Sequence, residues 1–239
     1  MKTACGTLYL LPVSLGDTAW SRFLPLEVQQ TAARIRTFVV ENAKTARAEL
    51  KRLEHPAPLR DLQITELPEQ DNAATLDSLL TPALGGQDIG LMSEAGCPAV
   101  ADPGARLVAR AHALGIPVRP MVGPSSILLA LMASGLNGQS FAFNGYLPVA
   151  DAERDTRVRK FEEESRRLKR TQIFIETPYR NDRLYDALLS VCQPSTRLCI
   201  ARDLTTDDEW IRSCTIGEWR KGARPDLHKR PSLFLLLSA

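Results

Sequence analysis

One feature restricts the folds open to this chain more than any other. Over its first half, short apolar runs of strand length alternate with segments of helical period. Residues 6–12 (GTLYLLP), 37–41 (TFVVE), 62–67 and 88–92 have the β-rich or continuous apolar character of buried strands, and 116–120 (IPVRP) a shorter one. Between them, residues 24–36, 43–53, 73–84 and 103–114 repeat apolar residues at helical spacing. A strand–helix repeat of this kind predicts a mostly parallel sheet covered by helices. The 103–114 helix has its own punctuation. Asp102 is placed to cap it, Pro103 suits a first helical position, Leu107, Val108, Ala111 and Leu114 form one stripe, and Gly115 ends it.

The second half has a different rhythm. VGPSSILLALMASG (122–135) reads as a buried helix that starts in Gly-Pro-Ser-Ser and stops at glycine. Strands are expected at 140–145, 172–176, 197–202, 210–216 and 232–238, with helices at 154–169 and 179–191. No long helix separates the last three strands, so antiparallel pairing is expected there. The fold class is therefore α/β with two α/β domains, residues 1–120 with a mostly parallel sheet and residues 121–239 with a mixed one. The opening stretch MKTACGTLYLLPVSLGD is expected to supply a first core strand rather than a secretion signal, because its apolar part is short and contains Pro12.

Two strand ends stand out. One is LPVSLGD (11–17). The other is SEAGCPAVADPG (93–104), in which three of twelve residues are alanine, two glycine and two proline. Ligands of open α/β sheets bind beyond the carboxyl ends of strands, and small residues let them approach the backbone. Tight packing of one loop on another would need the same small residues, and both readings stay open. A dinucleotide fingerprint needs GxGxxG after the first strand, and PVSLGD has one glycine. Neither GxxxxGK[ST] nor Gly-x-Ser-x-Gly occurs, which removes a P-loop and leaves a Ser-His-Asp hydrolase little support. Five cysteines (5, 97, 192, 199, 214) lack CxxC spacing, and His55, His112 and His228 are far apart. No metal site or disulfide framework is expected, and the odd cysteine count fits a reducing, cytoplasmic compartment. No apolar stretch has the length of a membrane span, so no membrane association is expected. A net charge of +2 neither requires nor forbids nucleic acid.

The ordered set GTLYLLPVSLGD, LMSEAGCPAVADPGARLV, VGPSSILLALMASGL, FAFNGYLP, IFIETPYR, IARDLT and KRPSLFLLL resembles the tetrapyrrole methylase superfamily. Within it, the set is most similar to the small-subunit ribosomal RNA (cytidine 2′-O) methyltransferases, with their LVPTPIGN, SDAGTPxxxDPG, PGPSA, GFLP, FYESPHR and ARELT patterns. The resemblance covers nearly the whole chain, in order. It implies two α/β domains with S-adenosylmethionine (SAM) in the cleft between them, a homodimer, and a ribosomal RNA or small-subunit acceptor. Carried over residue by residue, it implies cofactor contacts from Ser93, Glu94, Ala95, Gly96, Cys97 and Val100, then Ser125 and Ser126, then Ile175, Glu176, Leu204 and Ser232. Pro12 would join them, with the loop from Pro12 to Asp17 beside the methyl group and the substrate. A sulfonium methyl is already activated and needs mainly proximity and a dry site, whereas a ribose hydroxyl calls for a general base; the sequence names none, so no catalytic residue is assigned.

Three departures fall on the substrate side. Where the family carries a CEDTR-type segment, this chain has Val40-Glu41-Asn42-Ala43-Lys44, keeping Glu41 and, further on, Arg47. PTPIGN has become Pro12-Val13-Ser14-Leu15-Gly16-Asp17, and the lysine-rich continuation of GFLP is the acidic VADAERD. Two alternatives therefore stay open: the same fold and cofactor acting on a small molecule such as a tetrapyrrole, or a SAM-binding protein without activity. RDTRVRKFEEESRRLKR (154–170) has eight basic residues against four acids. It suits phosphate contact or, as a plain solvated helix, i,i+4 pairs such as Glu162–Arg166 and Glu163–Arg167.

Overall fold

The computed structural model describes residues 5–68, 70 and 72–238. They divide into two compact units, Met1–Ser125 and Ser126–Ala239.

The first unit holds a five-stranded sheet, all of it parallel. Its strands are β1 (Leu8–Leu10), β2 (Thr37–Val40), β3 (Gln63–Glu66), β4 (Ile89–Met92) and β5 (Val118–Pro120), in the order β3-β2-β4-β1-β5. Burial explains the order. TFVV and IGLM are buried at every residue, as central parallel strands must be, whereas QITE and VRP are largely exposed and sit at the edges. The helices are α1 (Leu26–Arg34), α2 (Ala43–Arg52), α3 (Ala73–Leu84) and α4 (Ala105–Ala113). Val28, Ala32, Ala46 and Leu50 of α1 and α2 pack on Tyr9, Leu11, Phe38 and Val40. Leu76, Leu80, Leu107 and Ala111 of α3 and α4 pack on Leu8, Val39, Ile89 and Leu91, which lie on the other face. Each fully buried Leu or Phe contributes roughly 1.5–3 kcal/mol. The sheet is thus doubly wound. The chain leaves β1 toward β2 and leaves β4 toward β5, so neighbouring β1 and β4 flank the switch point.

Side chains cap two helices of this unit where the sequence places them. Asn42 caps α2 by accepting from the Lys44 and Thr45 amides, and Asn72 with Thr75 closes a capping box on α3. Asp102 was expected to cap α4, and it does not. The helix begins two residues later than expected, with Gly104 at the cap position and no side chain serving it.

The second unit carries β6 (Phe141–Tyr146), β7 (Thr171–Ile175), β8 (Arg197–Arg202), β9 (Trp210–Thr215) and β10 (Ser232–Leu237). Their order is β6-β7-β10-β8-β9. Only the β6–β7 pair is parallel, so the last three strands pair antiparallel as their short connections predict. The helices are α5 (Ser126–Ser134), α6 (Asp151–Leu168), α7 (Asn181–Val191) and α8 (Ile216–Lys221). Val158, Phe161, Leu184 and Leu188 meet Phe174, Ile200, Trp219 and Phe234 in one core. Helix α8 was not anticipated, although Thr215-x-x-Glu218 spells its capping box. The expected Glu162–Arg166 pair is absent. Glu162 is buried instead, accepting from the Gln193 amide at 2.7 Å and from the Thr196 hydroxyl. Among the described residues no helix is long and apolar enough to cross a membrane.

Candidate functional site

At the switch point the loops that follow β1 and β4 are tied together. The Val13 amide donates to the Gly96 carbonyl at 2.9 Å, an isolated bridge outside the sheet. The small residues first serve this packing. A Cβ on Gly123 would lie 2.2 Å from Pro12 Cγ, and one on Gly96 would lie 3.1 Å from Leu15 and 3.3 Å from the Pro124 carbonyl. Pro12 is buried against this contact. Ser93, only 3% exposed, donates to the Ala95 carbonyl at 3.2 Å and so braces its own loop. Cys97 points its thiol at the Pro124 carbonyl, 3.4 Å away. Burial, with help from Asp102, raises its pKa, so it is a neutral thiol and not a nucleophile.

What this packing leaves outward is one carboxylate, short side chains and turned backbone. Glu94, Ala95 and Val100 are exposed. Gly96, Ala99, Ala101 and Gly104 all have positive φ (69°, 65°, 64° and 123°). Alanine in that region costs about 1–2 kcal/mol, a strain that characteristically gathers at functional loops.

Three carboxylates gather at the same strand ends. Glu41 accepts from the Glu94 amide at 3.0 Å, and Glu94 accepts from the Thr45 hydroxyl at 3.2 Å. Asp102 is half-buried, and its pKa is pushed up to about 6. Burial is the largest cause, Glu41 and Glu94 add repulsion, and the Ser93 hydroxyl opposes them. A cavity of about 440 Å³ opens beside it, with Glu41, Leu67, Asp102 and Arg106 in its wall.

Sequence reasoning missed a second polar cluster, under the 12–17 loop. Glu49 of α2 is 3% exposed. It accepts from the Ser14 hydroxyl at 2.9 and 3.0 Å and from Trp20 Nε1 at 2.7 Å, and it pairs with Arg52. Arg52 in turn reaches Asp17 at 2.6 Å. A signal existed. Glu49 lies on the inward stripe of its helix with Ala46 and Leu50, where an acid needs a partner.

Ser125 closes the first unit, and Ser126 is the first residue of α5 in the second. The remaining predicted residues sit at one end of the second sheet. Ile175 ends β7, Ser232 begins β10 in register with Arg202, and Leu204 follows β8. Their polar groups have structural partners. Glu176 accepts from the Thr177 amide and from Arg180, both at 2.6 Å, while Ser232 donates to the Arg230 carbonyl and receives Asn181.

A family model of tetrapyrrole (corrin/porphyrin) methylases matches residues 21–219. The chain belongs to that family. A ribosomal RNA small subunit methyltransferase I of Escherichia coli O157:H7 is 31% identical over 97% of this chain and 77% of its own. Its counterpart in Mesorhizobium japonicum is 35% identical over 87% and 67%. The Pseudomonas aeruginosa protein of that name is 36% identical over 65% of this chain, which spans about half of that relative, 54%. Among solved structures, the methyltransferase CobJ superposes with a TM-score of 0.64 at 19% identity, over 98% of this chain and 95% of its own. A uroporphyrin-III-C-methyltransferase from Thermus thermophilus gives 0.53 at 19%, over 98% and 92%. At such identities these neighbours speak for the fold. Methyl transfer is the chemistry named by the family and by every one of these proteins.

Proposed function

We propose that this methylase-family chain transfers a methyl group from SAM to a ribose 2′-hydroxyl of small-subunit ribosomal RNA. Small-subunit ribosomal RNA as acceptor comes from the names of the relatives, at 31–36% identity, and the 2′-hydroxyl from the motif resemblance. The observation that carries the cofactor is the charge of the switch-point crevice. Glu41 converges with Glu94 and Asp102 of the 93–104 loop, whose other outward residues have short side chains and turned backbone. SAM presents a sulfonium and an ammonium group, and an acid-rich, Cβ-poor cradle suits both charges and a close backbone approach. The residues present therefore fit the group, with the backbone of Ser93 to Cys97, Val100 and the Pro12 turn as its holders. Ile175, Glu176, Leu204 and Ser232, together with Ser125 and Ser126, are a separate proposal resting on the family resemblance.

SAM supplies a methyl group already activated for in-line displacement. The chain's own residues hold and orient, and one of them must take the hydroxyl proton. Asp102 is the crevice carboxylate suited to that, since at about 6 its pKa lies near neutrality. Incubation with tritiated SAM and small subunits lacking the modification tests the whole reading. The expected label is a 2′-O-methylnucleoside in the digested RNA. Label in a small molecule, with none in RNA, would replace the acceptor with the tetrapyrrole-type alternative.

A further inference from the structure

The proposed acceptor is a polyanion, yet the switch-point crevice carries three carboxylates that repel phosphate. The grip on the strand must lie elsewhere, and the second unit offers a place for it. At the end of its sheet opposite Ile175 and Ser232, Arg197 begins β8, Thr215 ends β9 in register with it, and β10 runs out at Leu237. A cavity of about 530 Å³ opens there. Arg166, Lys169 and Arg197 line it with Asn137, Ser195 and Thr215, and among the described residues no carboxylate side chain is in its wall.

Three acids close to these residues in sequence are occupied. Glu162 faces the core, Glu164 pairs with Arg170 at 3.0 Å, and Glu218 is spent on the α8 cap. Arg197 donates one N–H to the Gly135 carbonyl and keeps its remaining donors. The Arg166 guanidinium and the Lys169 ammonium, both exposed, have no ion-pair partner among the described residues. Lys169 also stands in the left-handed region (φ 48°, ψ 42°) as the end cap of α6, where glycine or asparagine would be cheaper. The Asn137 side chain fastens that turn by donating to the Lys169 carbonyl at 2.6 Å.

We propose that this cavity binds a backbone phosphate of the RNA strand, through Arg166, Lys169 and Arg197. The proposal rests on the RNA reading given above. Guanidinium groups and an ammonium, with the Ser195 hydroxyl beside them, are donors that tetrahedral oxyanions take, whereas the Thr215 hydroxyl is given to Glu218.

The test is fluorescence anisotropy of a labelled single-stranded RNA oligonucleotide with the full chain, across a salt series. The Arg166→Ala/Lys169→Gly double variant should bind several-fold more weakly. Its slope of log K against log salt should fall by about 0.7 for each phosphate that is no longer neutralised. Lys169→Gly alone should bind RNA more weakly while its Tm rises, which separates a weakened grip on phosphate from a folding defect. Equal affinity and slope in wild type and double variant would overturn the cavity assignment and leave the RNA reading standing. A wild-type chain that neither binds RNA nor labels small subunits would overturn the RNA reading, and RNA as the occupant with it. Calorimetric binding of inorganic phosphate that the double variant loses, with RNA affinity unchanged, would assign the cavity to a free phosphate instead.

Discussion

The loops after β1 and β4 start side by side and are stitched by one hydrogen bond, yet they are built on opposite principles. The 12–17 loop rests on a carboxylate that is wholly supplied, since Ser14, Trp20 and Arg52 all reach Glu49. The 93–104 loop carries a carboxylate surrounded by its own kind, and four residues with positive φ, two of them alanine. One loop is held by satisfied polar groups. The other holds strain and repulsion that only its surroundings maintain. Such strain at a strand end on the switch point is what a ligand loop looks like before the ligand is counted.

The contrast can be broken at its firm end first. Glu49→Ala removes the acceptor of three buried or half-buried donors and should cost about 3 kcal/mol or more in urea unfolding. A loss under about 1 kcal/mol would mean that the 12–17 loop does not depend on it. Gly123→Ala drives a methyl group into Pro12 and should cost about 2 kcal/mol by the same measurement.

At the strained end the sign should reverse. Asp102 has its folded pKa raised above the ordinary carboxylate value, so the folded state holds its proton longer than the unfolded one. Its contribution is most favourable below about pH 4 and is lost as pH rises through about 6. Asp102→Asn should therefore raise Tm at pH 7, give no advantage near pH 4, and abolish methyl transfer. A lower Tm at pH 7 would show that the carboxylate is supported there. Smallest of all, Ala99→Gly should stabilise by about 0.5 kcal/mol, since relief of the left-handed alanine slightly exceeds the extra chain entropy of glycine. A loss of stability would mean that the turn carries no strain.

The fold was legible because its signals are local. TFVV and IGLM announce buried central strands, and Asn42 and Asn72 sit where capping residues should. Lengths erred where distant packing decides. The 122–135 helix starts only at Ser126, because Gly123 and Pro124 are consumed by the loops of Pro12, Leu15 and Cys97. Asp102 reads as a cap from its neighbours, but the loop turns at Gly104 and leaves it among acids that come from β2 and β4. Glu162 reads as a surface acid in a charged helix, and its partners lie 31 and 34 residues away; Glu49 lies in another, and besides neighbouring Arg52 it is reached by Ser14 and Trp20 from 35 and 29 residues away. Of the two open readings of the small residues of 93–104, the structure shows the packing one. Gly96 makes room for Leu15 and Pro124, while Ala95 remains outward.

The most direct test of the central claim, that the strained loop is the cofactor loop, is calorimetric titration with S-adenosylhomocysteine. It should be run on the wild-type chain and on Ala95→Leu, whose side chain would extend from an exposed position. Saturable binding at one site per chain in the wild type, sharply weakened in Ala95→Leu at unchanged Tm, is the result this account predicts. Equal affinity in the two chains would contradict it and move the cofactor away from the 93–104 loop.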